Sequence, residues 1–205
     1  MTQEELMQDL AYARSLAEEG RHAPLLGGSY LLFWGILNAA AFTAHWAMLT
    51  ERLPYEGSSF AILWGGYGAV AALGMTVLGV RSRQKPGRTA IGGRSERAIW
   101  TGAALALCAL VFGSLARMVA DQDPAAPNAI FGAAFTIYGA ALFGVSALSE
   151  QAWMKAFAWL SLLAGAVLCL FANAPWAYLL AAGGSLLVLA IPGVVLLRRE
   201  PATLA

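Results

Sequence analysis

Charge is what this chain has least of. Of its 205 residues, 13 are Lys or Arg and 12 are Asp or Glu, so 12% are charged while 59% are apolar. A soluble domain carries roughly 25% charged and 45–50% apolar residues. Half the usual charge does not cover the surface of a water-soluble globule, so lipid is the expected solvent for much of the chain. Ordinary cytosolic enzymes and secreted modules become poor candidates. Cysteine is scarce too: Cys108 and Cys169 make neither a disulfide framework nor a Cys-x-x-Cys pair. His22 and His45 have no second His or Cys at ligand spacing, so no metal site is expected. A Gly-x-x-x-x-Gly-Lys-[Ser/Thr] loop and a Gly-x-Ser-x-Gly elbow are both missing, and no Ser, His and Asp spacing singles out a triad. The chain is therefore expected to have no catalytic residue and no cofactor, and to be something other than an enzyme. Its net charge of +1, with basic residues that are not interleaved with aromatics, excludes a nucleic-acid partner.

The charges that are present leave long gaps. A bilayer core about 30 Å thick takes roughly 20 apolar residues in a helix. Six stretches qualify: 24–49, 59–80, 98–120, 128–148, 153–172 and 175–197. Only Arg117 and Lys155 fall inside them, each near a span end from which it can reach the interface. Continuous apolar runs such as Ala177–Leu180 and Leu186–Ile191 exclude the alternating pattern of a membrane barrel. The first stretch follows an acidic lead and is too long for a cleaved signal, so it reads as a retained helix. The expected fold is all-α: a six-helix transmembrane bundle preceded by a short cytoplasmic amphipathic helix.

Six spans put both termini and the even loops on one side. That side carries Arg14, Arg21, Arg81, Arg83, Lys85, Arg88, Arg94, Arg97, Lys155, Arg198 and Arg199; Arg52 and Arg117 are left for the other. Cytoplasmic loops are enriched in Lys and Arg, so the first side is the expected cytoplasmic one. Trp46, Trp64 and Trp176 near outer ends and Trp100 and Trp153 near inner ends fit interfacial belts, whereas Trp34 and Trp159 lie deeper. A short chain rich in Ala and Gly points to a bacterial inner membrane.

Residues 1–23 form the expected cytoplasmic N-terminal helix and 198–205 a cytoplasmic tail. Thr2 and Glu5 fit a capping box and Gly20 a helix stop. Leu6, Leu10, Ala13 and Ala17 make one narrow apolar stripe. The polar face carries acids, Glu18 and Glu19 among them, and an anionic leaflet repels it, so a protein surface is the expected partner. The basic loop 81–97 supplies one such surface through Arg81, Arg83, Lys85, Arg88, Arg94 and Arg97, with Glu96 as its single acid. The same six residues suit lipid head groups, worth about 1 kcal/mol each near the surface.

Small residues recur at four-residue spacing, as transmembrane packing faces do. The stripes are Gly35, Ala39 and Thr43; Ala61, Gly65 and Ala69; Gly132, Thr136, Ala140 and Gly144; and Ser161, Gly165 and Cys169. They suit a compact bundle and leave room for a homo-oligomer. Tyr67-Gly68-Ala69 recurs as Tyr138-Gly139-Ala140, a weak sign of repeated hairpins. Gly27 and Gly28 suit a bend at the membrane entry. No span holds an Asp or Glu, the groups that relay protons and ions. The expected function is thus binding or signalling to a partner protein through the cytoplasmic helix. The alternative is a transporter or channel for a small neutral solute, with Asn38, Thr43 and His45 along its path.

Overall fold

The computed structural model describes residues 7–12, 25–56, 58–83, 85, 91–149 and 151–200. Among these residues the fold is all-helical, without strands. The long helices are α1 (Gly28–Leu49), α2 (Ser59–Ser82), α3 (Ile91–Ala120), α4 (Ala129–Ser149), α5 (Met154–Leu170), α6 (Pro175–Ser185) and α7 (Ile191–Arg199). A π-helical turn, Leu186–Ala190, joins α6 to α7 into one apolar rod, Pro175–Arg199. Five helices are long and apolar enough to cross a membrane, and α5, at 17 residues, is shorter. This is a multi-pass membrane protein. Residues 7–12 are helical and exposed, whereas the rest of the proposed cytoplasmic helix lies outside the described residues.

The third helix begins at Ile91, seven residues before the stretch expected from hydropathy alone. Its 30 residues span about 45 Å at 1.5 Å each, more than the hydrocarbon core needs. Arg94, Ser95, Glu96 and Arg97 have no reason to break a helix outside the bilayer, so much of the supposed loop is helical. The π turn has its own cause. Pro192 has no N–H, and in a regular helix its ring would collide with the carbonyl four residues earlier; a wider turn just before it relieves that collision.

The first helix lies at the middle of the packing, against α6, the π turn and α7 on one side and α2 on another. Glycine allows the close crossing: a Cβ at Gly35 would come within 2.5 Å of the Ala190 nitrogen, and one at Gly193 within 2.5 Å of the Leu32 nitrogen. The α4 and α5 helices form a tight antiparallel pair. Gly132 packs on Cys169 and Gly165, and the Ser161 hydroxyl donates to the Phe135 carbonyl oxygen at 2.7 Å. Phe135, Leu142, Met154, Ala158, Leu168 and Ala181 fill the core between these two halves with at most 1% exposure. The remaining long helices are outliers: α2 leans on α1 and buries only Ala71, while α3 leans on α4.

Candidate functional site

Polar groups within the bundle gather along one face of α1. Asn38 is buried and uses both ends of its amide: Tyr67 donates its phenolic hydrogen to Oδ1 at 2.7 Å, and Nδ2 donates to the Tyr138 oxygen at 3.4 Å. The two tyrosines of the repeated Tyr-Gly-Ala tripeptide thus meet at one asparagine. Two turns further on, the Trp64 indole N–H donates to Nδ1 of His45 at 2.9 Å. A ring nitrogen that accepts carries no hydrogen, so the neutral imidazole holds its proton on Nε2. The His45 ring stacks on Tyr178 with centroids 4.1 Å apart and lies 4.6 Å from Phe60. The hydroxyl of Tyr178 donates to Asn128, whose amide donates to Asn173 at the end of the bundle where α5 finishes. Trp34, Phe42 and Phe131 complete an aromatic seam around this chain of bonds.

Thr43 is not part of the seam; it faces outward. Five residues of helix rotate a side chain about 140° from Asn38, whereas the seven to His45 nearly complete two turns. The structure thus brings Asn38 and His45 onto one face and leaves Thr43 off it. Asn38, Tyr67 and Tyr138 form one hydrogen-bonded group and His45 with Trp64 another, and the rings around them pack in edge-on, tilted and stacked pairs, an arrangement that fixes α1 against α2, α4 and α6.

A second polar cluster lies at the opposite end, where α1 begins and α7 finishes, called the inner end below. Glu96, on the second turn of α3, is 4% exposed, and its carboxylate accepts the backbone N–H groups of Leu26 at 2.9 Å and Gly27 at 3.1 Å. Those donors sit at the start of α1, where helix N–H groups lack partners and the dipole favours an anion. Lys85 and Glu200 form an ion pair beside it, and both act on Glu96 through their charges. The second oxygen of Glu200, Oε1, is buried without a hydrogen-bond partner. The same end carries Gln151, which accepts from the Trp153 indole at 2.7 Å and from the Arg199 guanidinium at 3.0 Å. Tyr30 donates to Ser82 at 3.1 Å, tying α1 to the end of α2.

The other proposed contact residues divide as follows. Arg81, Arg83 and Arg94 are exposed at this end, and Arg97 turns back to donate to the Gly93 carbonyl at 3.2 Å. Lys85 is drawn into the ion pair. Leu10 is exposed, while Leu6, Glu18, Glu19 and Arg88 lie outside the described residues. The expected bend at Gly27 and Gly28 is a wedge: a Cβ at Gly28 would meet the Leu197 nitrogen at 2.7 Å. Sequence reasoning passed over Glu96 and Glu200, although Glu96 stood out as the lone acid in a basic stretch. Among the described residues, no group of three or more His, Cys, Asp or Glu could hold a metal. Neither the sequence nor the fold of this chain matches a protein-family model, a curated protein or a solved structure.

Proposed function

We propose that the chain is a six-span protein of a bacterial inner membrane, with both termini cytoplasmic, that acts by binding a partner protein. The contact is made by its acidic N-terminal segment together with the basic inner face. The observation that carries this reading is a contrast between the two polar regions. Asn38 and His45 are committed to bonds within the bundle, while Arg81, Arg83 and Arg94 stand exposed around a rigidly tied inner end. A solute path has less support, because Thr43 faces away from the other two residues proposed to line it.

Counting α5 as the sixth span is supported by its ends. Gln151, just before it, bonds to Arg199 at the inner end, and Asn173, just after it, bonds to Asn128 at the outer end. Its 17 residues reach about 26 Å, the lower end of what a bilayer accepts. The cytoplasmic assignment of the inner end rests on its holding eleven of the thirteen basic residues.

A photo-crosslinker placed at Glu18 or Glu19 in living cells tests the reading. We expect capture of one specific protein, and loss of that adduct when Arg81, Arg83 and Arg94 are changed to Gln. Recovery of only lipid and self-adducts overturns it.

A further inference from the structure

We propose that the cleft between α2 and α3 binds one anionic phospholipid, drawn from the leaflet at the inner end. Its position follows from what covers the pair α1 and α4, which meet through Asn38 and Tyr138 and through Phe42 and Phe131. One side of that pair is taken by α5, α6, the π turn and α7. The other side carries α2, resting on α1, and α3, resting on α4, and these two are not packed along each other. Trp64, Tyr67, Gly74 and Ser82 mark the stripe of α2 that meets α1. Turning from that stripe by about 100° per residue places Gly68, Ala72 and Gly79 towards α3. A Cβ at Gly68 or Gly79 would meet nothing within 4 Å, and Ala72 and, across the cleft, Ala104 are exposed. The walls are small and apolar, and they leave room for a hydrocarbon chain.

Charge decides the occupant. Both walls end in cations at the inner mouth: Arg83 just past the end of α2 and Arg94 on the first turn of α3, both exposed. The two ends are held to the same place, because Tyr30 of α1 bonds to Ser82 and the start of α1 bonds to Glu96. Glu96 and Glu200 do not offset these cations at the surface, since the first is spent on backbone N–H groups and the second on Lys85. A guanidinium holds phosphate oxygens through paired, charge-assisted hydrogen bonds. A second copy docked through the same cleft, about an axis normal to the membrane, would set Arg83 and Arg94 against their own counterparts. Apolar contact alone favours no occupant within a bilayer, because lipid tails are as apolar as the walls. Selectivity therefore lies in the head group. Two basic residues near the surface, at about 1 kcal/mol each, amount to a preference of roughly thirtyfold for a net anionic head over a neutral one. The site goes beyond the partner reading and does not depend on it.

Native mass spectrometry of the full-length protein in a neutral detergent tests the site, with dioleoyl phosphatidylglycerol and dioleoyl phosphatidylcholine as probes. One phosphatidylglycerol is expected to bind at a concentration roughly thirtyfold lower than phosphatidylcholine. Arg83→Gln combined with Arg94→Gln is expected to bring the two lipids within about threefold of each other. Gly68→Leu fills the cleft and is expected to weaken phosphatidylglycerol by roughly tenfold with both arginines in place. Gly66→Leu, on the opposite flank of α2 and equally unobstructed, is expected to change nothing and controls for the added bulk. Leucine is a better helix former than glycine, so both variants keep the helix. Equal binding of the two lipids by the parent overturns the proposal, as does a preference that survives the arginine changes. So does an equal loss of binding in Gly66→Leu and Gly68→Leu, which marks ordinary lipid contact all round the helix. A dimer that forms without phosphatidylglycerol and is lost in Gly68→Leu gives the cleft to a second copy, and overturns it too.

Discussion

Tyr67 donates its hydroxyl hydrogen to Asn38 Oδ1 at 2.7 Å across the interface between the first two membrane helices. Removing the donor strands an amide oxygen among apolar groups. Hydrogen bonds between membrane helices average about 0.6 kcal/mol and reach roughly 1.7 kcal/mol in double-mutant cycles. Tyr67→Phe is expected to destabilise the protein by an amount in that range. In the Asn38→Leu background the same change is expected to cost almost nothing, as read by unfolding in mixed micelles.

The glycines separate into two groups that substitution distinguishes. Gly35→Ala and Gly193→Ala drive a methyl into the backbone of the opposite helix and are expected to cost about 1–3 kcal/mol. Gly65→Ala meets nothing within 4 Å and replaces a poor helix former, so it is expected to be neutral or mildly stabilising. Thermal unfolding of the three variants checks the order.

Two ion pairs among the described residues differ in the same way. Arg117 and Asp121, 67% and 57% exposed and one turn apart, contribute at most about 0.5 kcal/mol, so Arg117→Gln is expected to leave stability unchanged. Lys85 holds Glu200 in a site where the carboxylate is 9% exposed. Lys85→Gln leaves two neighbouring carboxylates without their cation and is expected to cost about 1–3 kcal/mol, less than the full penalty of a deeply buried pair because Lys85 retains some contact with water. Raising salt is expected to leave this difference largely intact.

Sidedness is open to a direct measurement. With six spans, Gln151→Cys reacts with an impermeant maleimide from the cytoplasmic side and Asn173→Cys from the outside. Labelling of both from one side contradicts the count and makes α5 a helix that enters and leaves on the same face.

Five of the apolar stretches were legible as long membrane helices because charge is excluded from lipid, whereas 153–172 yielded the shorter helix α5. Faces within the spans were legible only over short distances. Four-residue spacing drifts about 40° per step around a helix. Gly132 and Thr136 consequently face α5, as the stripe suggested, but Ala140 turns outward and Gly144 reaches Ile99 of α3. The same drift separates Gly35 and Ala39, both buried, from Thr43. The stripe Ala61, Gly65 and Ala69 is exposed along its whole length; in a chain with 22 glycines such patterns also arise from composition. Glu96 was illegible for another reason. Its partners are backbone groups some 70 residues away, and no local pattern announces that a carboxylate will cap a distant helix.

The widened turn at Leu186–Ala190 amounts to one residue inserted into an otherwise regular rod. An extra residue in an α-helix rotates everything beyond it by about 100°. Gly193 and Leu196 meet α1 because the wide turn absorbs that residue; if the same chain were wound as a regular α-helix here, everything beyond Ala190 would turn by about 100° and the close backbone crossing at Leu32 would be lost. The inner end of the last helix, with Arg199 and Glu200, would swing by the same angle. Register at this single turn therefore sets which residues of the C-terminal rod can be reached from the start of α1.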